Sequence, residues 1–176
     1  MKAITIWQPW ASLLACGAKQ YETRSWKTDY RGPIAIHAAK KDVYKIMGDL
    51  PFDVVSGVFA AFYKAYKIES GSQKLMEEVQ GHIIATAELV NCWHIVYHPG
   101  PDIDVAKHIK IGAELDVPKH HPDFQKYMVP TEQEMLFGDW TPGRYAWEFA
   151  NIKILSDPIP AKGQQRLWNW ENKEGS

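Results

Sequence analysis

Pro9 and Gly17 bracket a short segment that reads as a helix, set between two segments that read as strands. Proline suits the first turn of a helix, where its missing N–H would find no partner anyway, and glycine suits the position just past the end. Ahead of the helix, Ala3-Ile4-Thr5-Ile6 lies in a short strand over residues 2–7. Behind it, Lys19 to Trp26 is rich in Tyr, Thr and Trp and reads as a second strand. A chain that goes from strand to short helix to strand so early favours a mixed, barrel-like sheet over a regular series of strands and long helices.

The rest of the pattern agrees. Tyr30-Arg31-Gly32-Pro33 is a turn, and Pro33 to Ala39 a strand. Residues 42–67 read as helical: Asp42 caps a helix through Leu50, Pro51 breaks it, and Asp53 caps another that carries Val54, Val58, Phe59 and Phe62. Leu75 to Val79 adds a turn of helix. His82 to Val90 is the clearest strand, and Tyr145 to Leu155 is another. Between them, residues 98–142 hold Pro99, Pro101, Pro118, Pro122 and Pro130 with little periodicity, an irregular excursion with a helix near Glu132 to Leu136. Pro158-Ile159-Pro160 and Gly163 mark a last turn before Arg166 to Trp170. No repeat or linker divides the chain, so residues 1–176 form one α+β domain, a small mixed β-barrel with short flanking helices.

Composition sets further bounds. Charged residues make up 23% and hydrophobic residues 45%, as in soluble globular proteins. No apolar run approaches the roughly 20 residues of a membrane helix, and the N-terminus lacks a signal-peptide pattern. The expectation is a cytoplasmic protein with no membrane partner. Cys16 and Cys92 lie outside any Cys-x-x-Cys pair and read as reduced core thiols. His94, His98, His108 and the adjacent His120 and His121 come with no carboxylate motif, so neither a metal nor a cofactor is expected. A net charge of −1 argues against coating nucleic acid by bulk charge. Yet residues 1–70 carry 10 Lys and Arg against 6 Asp and Glu, while residues 71–176 carry 10 against 15, so a positive excess travels with the N-terminal corner.

In the strand from Lys19 to Trp26, side chains alternate between faces. Glu22, Arg24 and Trp26 share one face: an acceptor, a planar cation and an aromatic plate, the inventory that holds a heterocycle. A surface strand with an ordinary Glu–Arg pair has the same pattern. Lys19 either complements the helix dipole or sits in a cleft where burial lowers its pKa and suits it to proton transfer.

These residues also carry a family resemblance. Gln8-Pro9-Trp10-Ala11-Ser12-Leu13-Leu14, Gly17-Ala18-Lys19, Glu22-Thr23-Arg24-Ser25-Trp26, Tyr30-Arg31-Gly32-Pro33 and Ile36-His37-Ala38 resemble the ASCH domain (activating-signal-cointegrator homology) of the PUA-like superfamily. The likeness continues in Ile84 to Val90, Gly143 to Trp147, Pro158 to Gly163 and Leu167-Trp168, with insertions around 40–80 and 98–140. It implies a PUA-like barrel with a cleft beside the first helix, which binds RNA, single-stranded nucleic acid or a modified nucleoside. Related domains take one base out of its stack into a pocket. The candidate ligand-binding residues are Gln8, Trp10, Ser12, Arg24, Trp26, Arg31 and His37, and His37 reads equally well as a satisfied core histidine.

Some members are amidohydrolases on acetylated cytidine, using a Lys, a Thr three residues later and a distal Glu. Lys19 matches the lysine, but Glu22 stands where the Thr would be, and alternation puts Thr23 on the other face. The distal Glu falls in the weakly matching insertion and has no assigned position. Lys19 and Glu22 remain a usable pair, Glu22 to activate a water or ribose hydroxyl and Lys19 to stabilise a developing negative charge. Three functions follow, in order: a nucleic-acid or modified-nucleotide binding domain, a hydrolase of an acylated nucleoside or RNA using Lys19 and Glu22, and a protein-interaction module using residues 98–142.

Overall fold

The computed structural model describes residues 1–67, 72–97, 109–112 and 130–171. Most of the irregular 98–142 excursion, with the protein contact read there, therefore lies outside the described residues. The chain folds as β1 (Lys2–Ile6), α1 (Trp10–Ala15), β2 (Tyr21–Arg24), β3 (Gly32–Ala38), α2 (Val43–Asp49), α3 (Phe52–Tyr66), α4 (Ser72–Glu78), β4 (His82–Tyr97), β5 (Ile109–Gly112), α5 (Glu132–Leu136), β6 (Tyr145–Pro160) and β7 (Leu167–Asn169). One sheet runs in the order β2-β6-β4-β3-β1-β7, with β5 paired to β4. β1 and β3 are parallel and the other pairs antiparallel.

β4 and β6 span 16 residues each, and their register shifts three times along the shared ladder. Extra residues in a ladder bend a strand and increase its twist. The sheet thereby curls into the half-barrel of a PUA-like α+β fold, with α1 packed against β1, β3, β4 and β6. Ala11, Leu14 and Ala15 of α1 join Ile4, Ile36, Leu89, Trp147 and Phe149 in the main core. Leu13, on the other side of α1, packs with Val43, Met47, Val58, Phe62, Met76 and Phe137 in a second apolar cluster. Sandwiched between sheet and helices, α1 is buried from Ala11 to Ala15.

Several boundaries differ from the sequence reading: β2 is confined to Tyr21–Arg24, short of Lys19 and Trp26, and α4 starts at Ser72 rather than Leu75. β6 continues through Pro158 and Pro160, read above as a turn. There it pairs only with β4, because β2 covers just the Tyr145–Glu148 end, and an edge strand tolerates proline. α3 starts at Phe52, so Asp53 lies in its first turn rather than at the cap, where its charge still complements the helix dipole. β4 runs on to Tyr97, well past Val90. Among the described residues, no helix is long and apolar enough to cross a membrane.

Candidate functional site

The turn after α1 aims the first site residues. Gly17 adopts φ 75°, a left-handed conformation that glycine takes without strain. The amides of Gly17 and Lys19 bond back to the carbonyls of Leu14 and Leu13 at 2.9 and 3.0 Å. The chain leaves the helix with Lys19 pointing inward, only 1% exposed. Pro9 offers no side-chain cap to α1. Gln8 supplies one: its Oε1 accepts from Ser12 N at 3.1 Å, and its Nε2 donates to Ser12 Oγ at 2.8 Å and Met76 O at 3.3 Å.

Lys19 Nζ donates to Tyr21 O and lies 3.8 Å from Glu22 Oε2. Arg24 Nη2 holds Glu22 Oε1 at 3.1 Å and donates to Thr5 O at 3.0 Å. Glu134 of α5, missed in the sequence, joins them. Its Oε1 accepts from Gln20 N at 2.5 Å and its Oε2 from Tyr21 N at 3.4 Å. Trp140 Nε1 donates to Glu134 O at 2.7 Å, and Gln133 Nε2 donates to Ala18 O, so α5 is fastened to the start of β2. Burial draws the Lys19 ammonium below its ordinary pKa, opposed by the charges of Glu22 and Glu134 and reinforced by Arg24. Burial pushes the Glu134 carboxyl up, against the pull of Lys19 and the two backbone amides.

Two pockets flank this ion-paired row. One of about 290 Å³ is lined by Arg24 and Trp26, with Thr5, Trp7 and Arg166. Trp26 is half-buried, edge-on to Trp147 with centroids 4.5 Å apart, while Trp147 Nε1 donates to Trp26 O at 3.2 Å. The Arg166 guanidinium stands 5.9 Å from the Trp26 ring, and Lys41 Nζ 4.3 Å above Trp7, which is 50% exposed. The other pocket, about 350 Å³, is lined by Trp10, Glu22, Thr23, Phe137, Asp139 and Arg144 among others. The Glu22–Arg24 pair links the two.

The structure thus brings Lys19, Glu22, Arg24 and Trp26 into one row, with Trp10 beside Glu22. Gln8 and Ser12 are buried and bonded to each other, and Ser12 borders a separate cavity of about 430 Å³ with Ala15, Tyr66 and Ile84. Arg31 is exposed and donates to Thr28 O and Tyr30 O at 2.9 and 2.8 Å. His37 is 2% exposed and lines another cavity. Trp7 and Arg166 were missed along with Glu134. Trp7 follows β1 and Arg166 precedes β7, so the antiparallel pairing of those strands brings the two to one end of the sheet, which no local pattern announces. Cys16 and Cys92 are free thiols. No three or more His, Cys, Asp or Glu of the described residues are gathered as metal ligands.

A curled sheet around a short buried helix, with a charged and aromatic cleft at the helix–strand corner, defines a PUA-like domain. The family model for the ASCH domain matches residues 4–158, and the chain belongs to that family. Membership points, in general terms, to RNA binding or a related function. No curated protein matches the chain.

Proposed function

We propose that this domain binds single-stranded RNA by holding one unstacked base in the pocket of Trp26, Trp7, Arg24 and Arg166. The observation that carries the reading is the composition of that pocket: two indoles and two guanidiniums around about 290 Å³, in a chain whose net charge is −1. An indole face stacks on any base, and a guanidinium serves both phosphate and carbonyl oxygens. The Lys19–Glu22–Arg24 row supports the same reading. Its ion pairs pin the Arg24 guanidinium through Nη2, which fixes where a ligand oxygen would meet it.

The test is a fluorescence-anisotropy titration with labelled single-stranded RNA at several salt concentrations. Stacking contributes about 1–3 kcal/mol per base. Trp26→Ala therefore weakens binding about fivefold to 150-fold, and wild-type affinity falls as salt rises. Unchanged affinity in both Trp26→Ala and Arg24→Ala removes this pocket from the account.

The gathering of Lys19, Glu22 and Glu134 favours a second reading, hydrolysis of an acylated nucleoside or RNA. The lowered pKa of Lys19 suits proton transfer. Assay of acylated cytidines with Lys19→Met separates the readings. The hydrolase loses turnover, whereas the binding domain shows no turnover in either protein.

A further inference from the structure

A cavity of about 780 Å³ opens beside the Trp26 pocket, and Thr5, Gln164 and Gln165 line both. Its charged lining residues are Lys40 and Lys162, with no Asp or Glu of the described residues among them. Two further lining groups are incomplete. Gln80 Nε2 is a donor closed off from water that has no acceptor. His37 Nε2 lies 3.1 Å from Ala161 O, so that nitrogen carries the proton, and buried Nδ1 has no partner. Such orphaned polar atoms cost free energy.

The wall that carries Lys162 is fixed in place. Ala161 N donates to Gly81 O at 2.9 Å, and Ala161 O meets His37. Gly163 sits so close to the imidazole that a Cβ there would come within 2.5 Å of His37 Cε1.

We infer that this cavity is a second subsite of one groove, taking the phosphodiester and nucleotide next to the base held at Trp26. The ligand class is then a single-stranded polynucleotide and not a free nucleoside. This inference rests on reading the Trp26 pocket as a base site. The cavity is far larger than the base pocket, and Thr5, Gln164 and Gln165 border both, so the two are adjacent. Lys40 and Lys162 neutralise the phosphate. A free nucleoside at Trp26 would leave both lysines unmatched. Stacking platforms beside a cationic track are how single strands are held without regard to sequence.

The test compares wild type with three variants: Lys40→Ala/Lys162→Ala, Trp26→Ala, and Lys45→Ala/Lys64→Ala. The last pair is exposed on α2 and α3, lines neither cavity and makes the same change in charge. The probes are a fluorescein-labelled oligouridylate of about eight nucleotides and its uncharged methylphosphonate counterpart. The cavity pair is expected to weaken oligouridylate binding about tenfold and to reduce the slope of log affinity against log salt by about 0.7, one phosphate's worth for a single strand. The control pair stays near wild type, and the methylphosphonate probe binds wild type and cavity variant alike. If Trp26→Ala weakens binding but the cavity pair matches the control pair, the second subsite is wrong and the base pocket stands. If wild type binds no oligomer, or Trp26→Ala binds as wild type does, the base-site reading fails and takes the subsite with it.

Discussion

Glu22 Oε1 is held by Arg24 Nη2 at 3.1 Å, while the other oxygen of the same carboxylate faces the buried ammonium of Lys19 at 3.8 Å. One carboxylate thus stands between two cations, one of them sealed in the interior. Removing one partner of a buried pair leaves an uncompensated charge and costs about 3–5 kcal/mol. Glu22→Ala is expected to lose stability in that range, read as a drop in urea midpoint. A loss below about 0.5 kcal/mol, typical of a plain surface site, would contradict the ion-paired row.

Alkaline stability tests how the helical side packs. Burial pushes the hydroxyls of Tyr66 and Tyr21 up to about 12, assisted by the Cys16 charge at Tyr66 and by Glu148 and Glu134 at Tyr21. An unfolded tyrosine ionises near about 10. Below that pH both states keep the proton. Between about 10 and 12 only the unfolded chain gives it up, so stability is lost as pH rises through this window. Thermal melts at about pH 9 and 11 should show a smaller loss in Tyr66→Phe, by less than about 1 kcal/mol because solvent screens the half-buried hydroxyl. Lys19 is common to both proteins and drops out of the comparison. Equal losses would mean that Tyr66 is not buried as described.

Gly163 tests the wall of the Lys40–Lys162 cavity. A Cβ there meets His37 Cε1 at 2.5 Å, His37 Nδ1 at 2.8 Å and Thr5 Oγ1 at 3.1 Å. The ring cannot retreat freely, because it is bonded to Ala161 O and packed 5.8 Å from Trp168. Gly163→Ala should cost about 1–3 kcal/mol, the usual penalty of overpacking. A calorimetric Tm equal to wild type would show that the wall is loose.

The corner from Pro9 to Arg24 was legible because its signals are local: a proline, a glycine, then alternating side chains. The face shared by Glu22 and Arg24 follows from the period of a strand alone. Glu134 was not legible. It reaches Gln20 across 114 residues, from a segment with little periodicity, and only the fold brings it there. Gln8 and Ser12 mislead for another reason. An amide and a hydroxyl at the start of a helix suit a ligand or the helix's own amides equally well, and here they close on each other and on α1. The extra length of β4 and β6 was hidden because tertiary pairing extends strands through residues, prolines included, that local propensity would exclude.

The most direct measurement is an NMR titration of ¹⁵N-labelled protein with a short single-stranded RNA, followed through the indole N–H resonances. The account predicts that Trp7 and Trp26 shift progressively, whereas Trp140, whose Nε1 is bonded to Glu134 O, stays put. RNA that binds while the Trp7 and Trp26 signals do not move would contradict the claim that a base is held in their pocket.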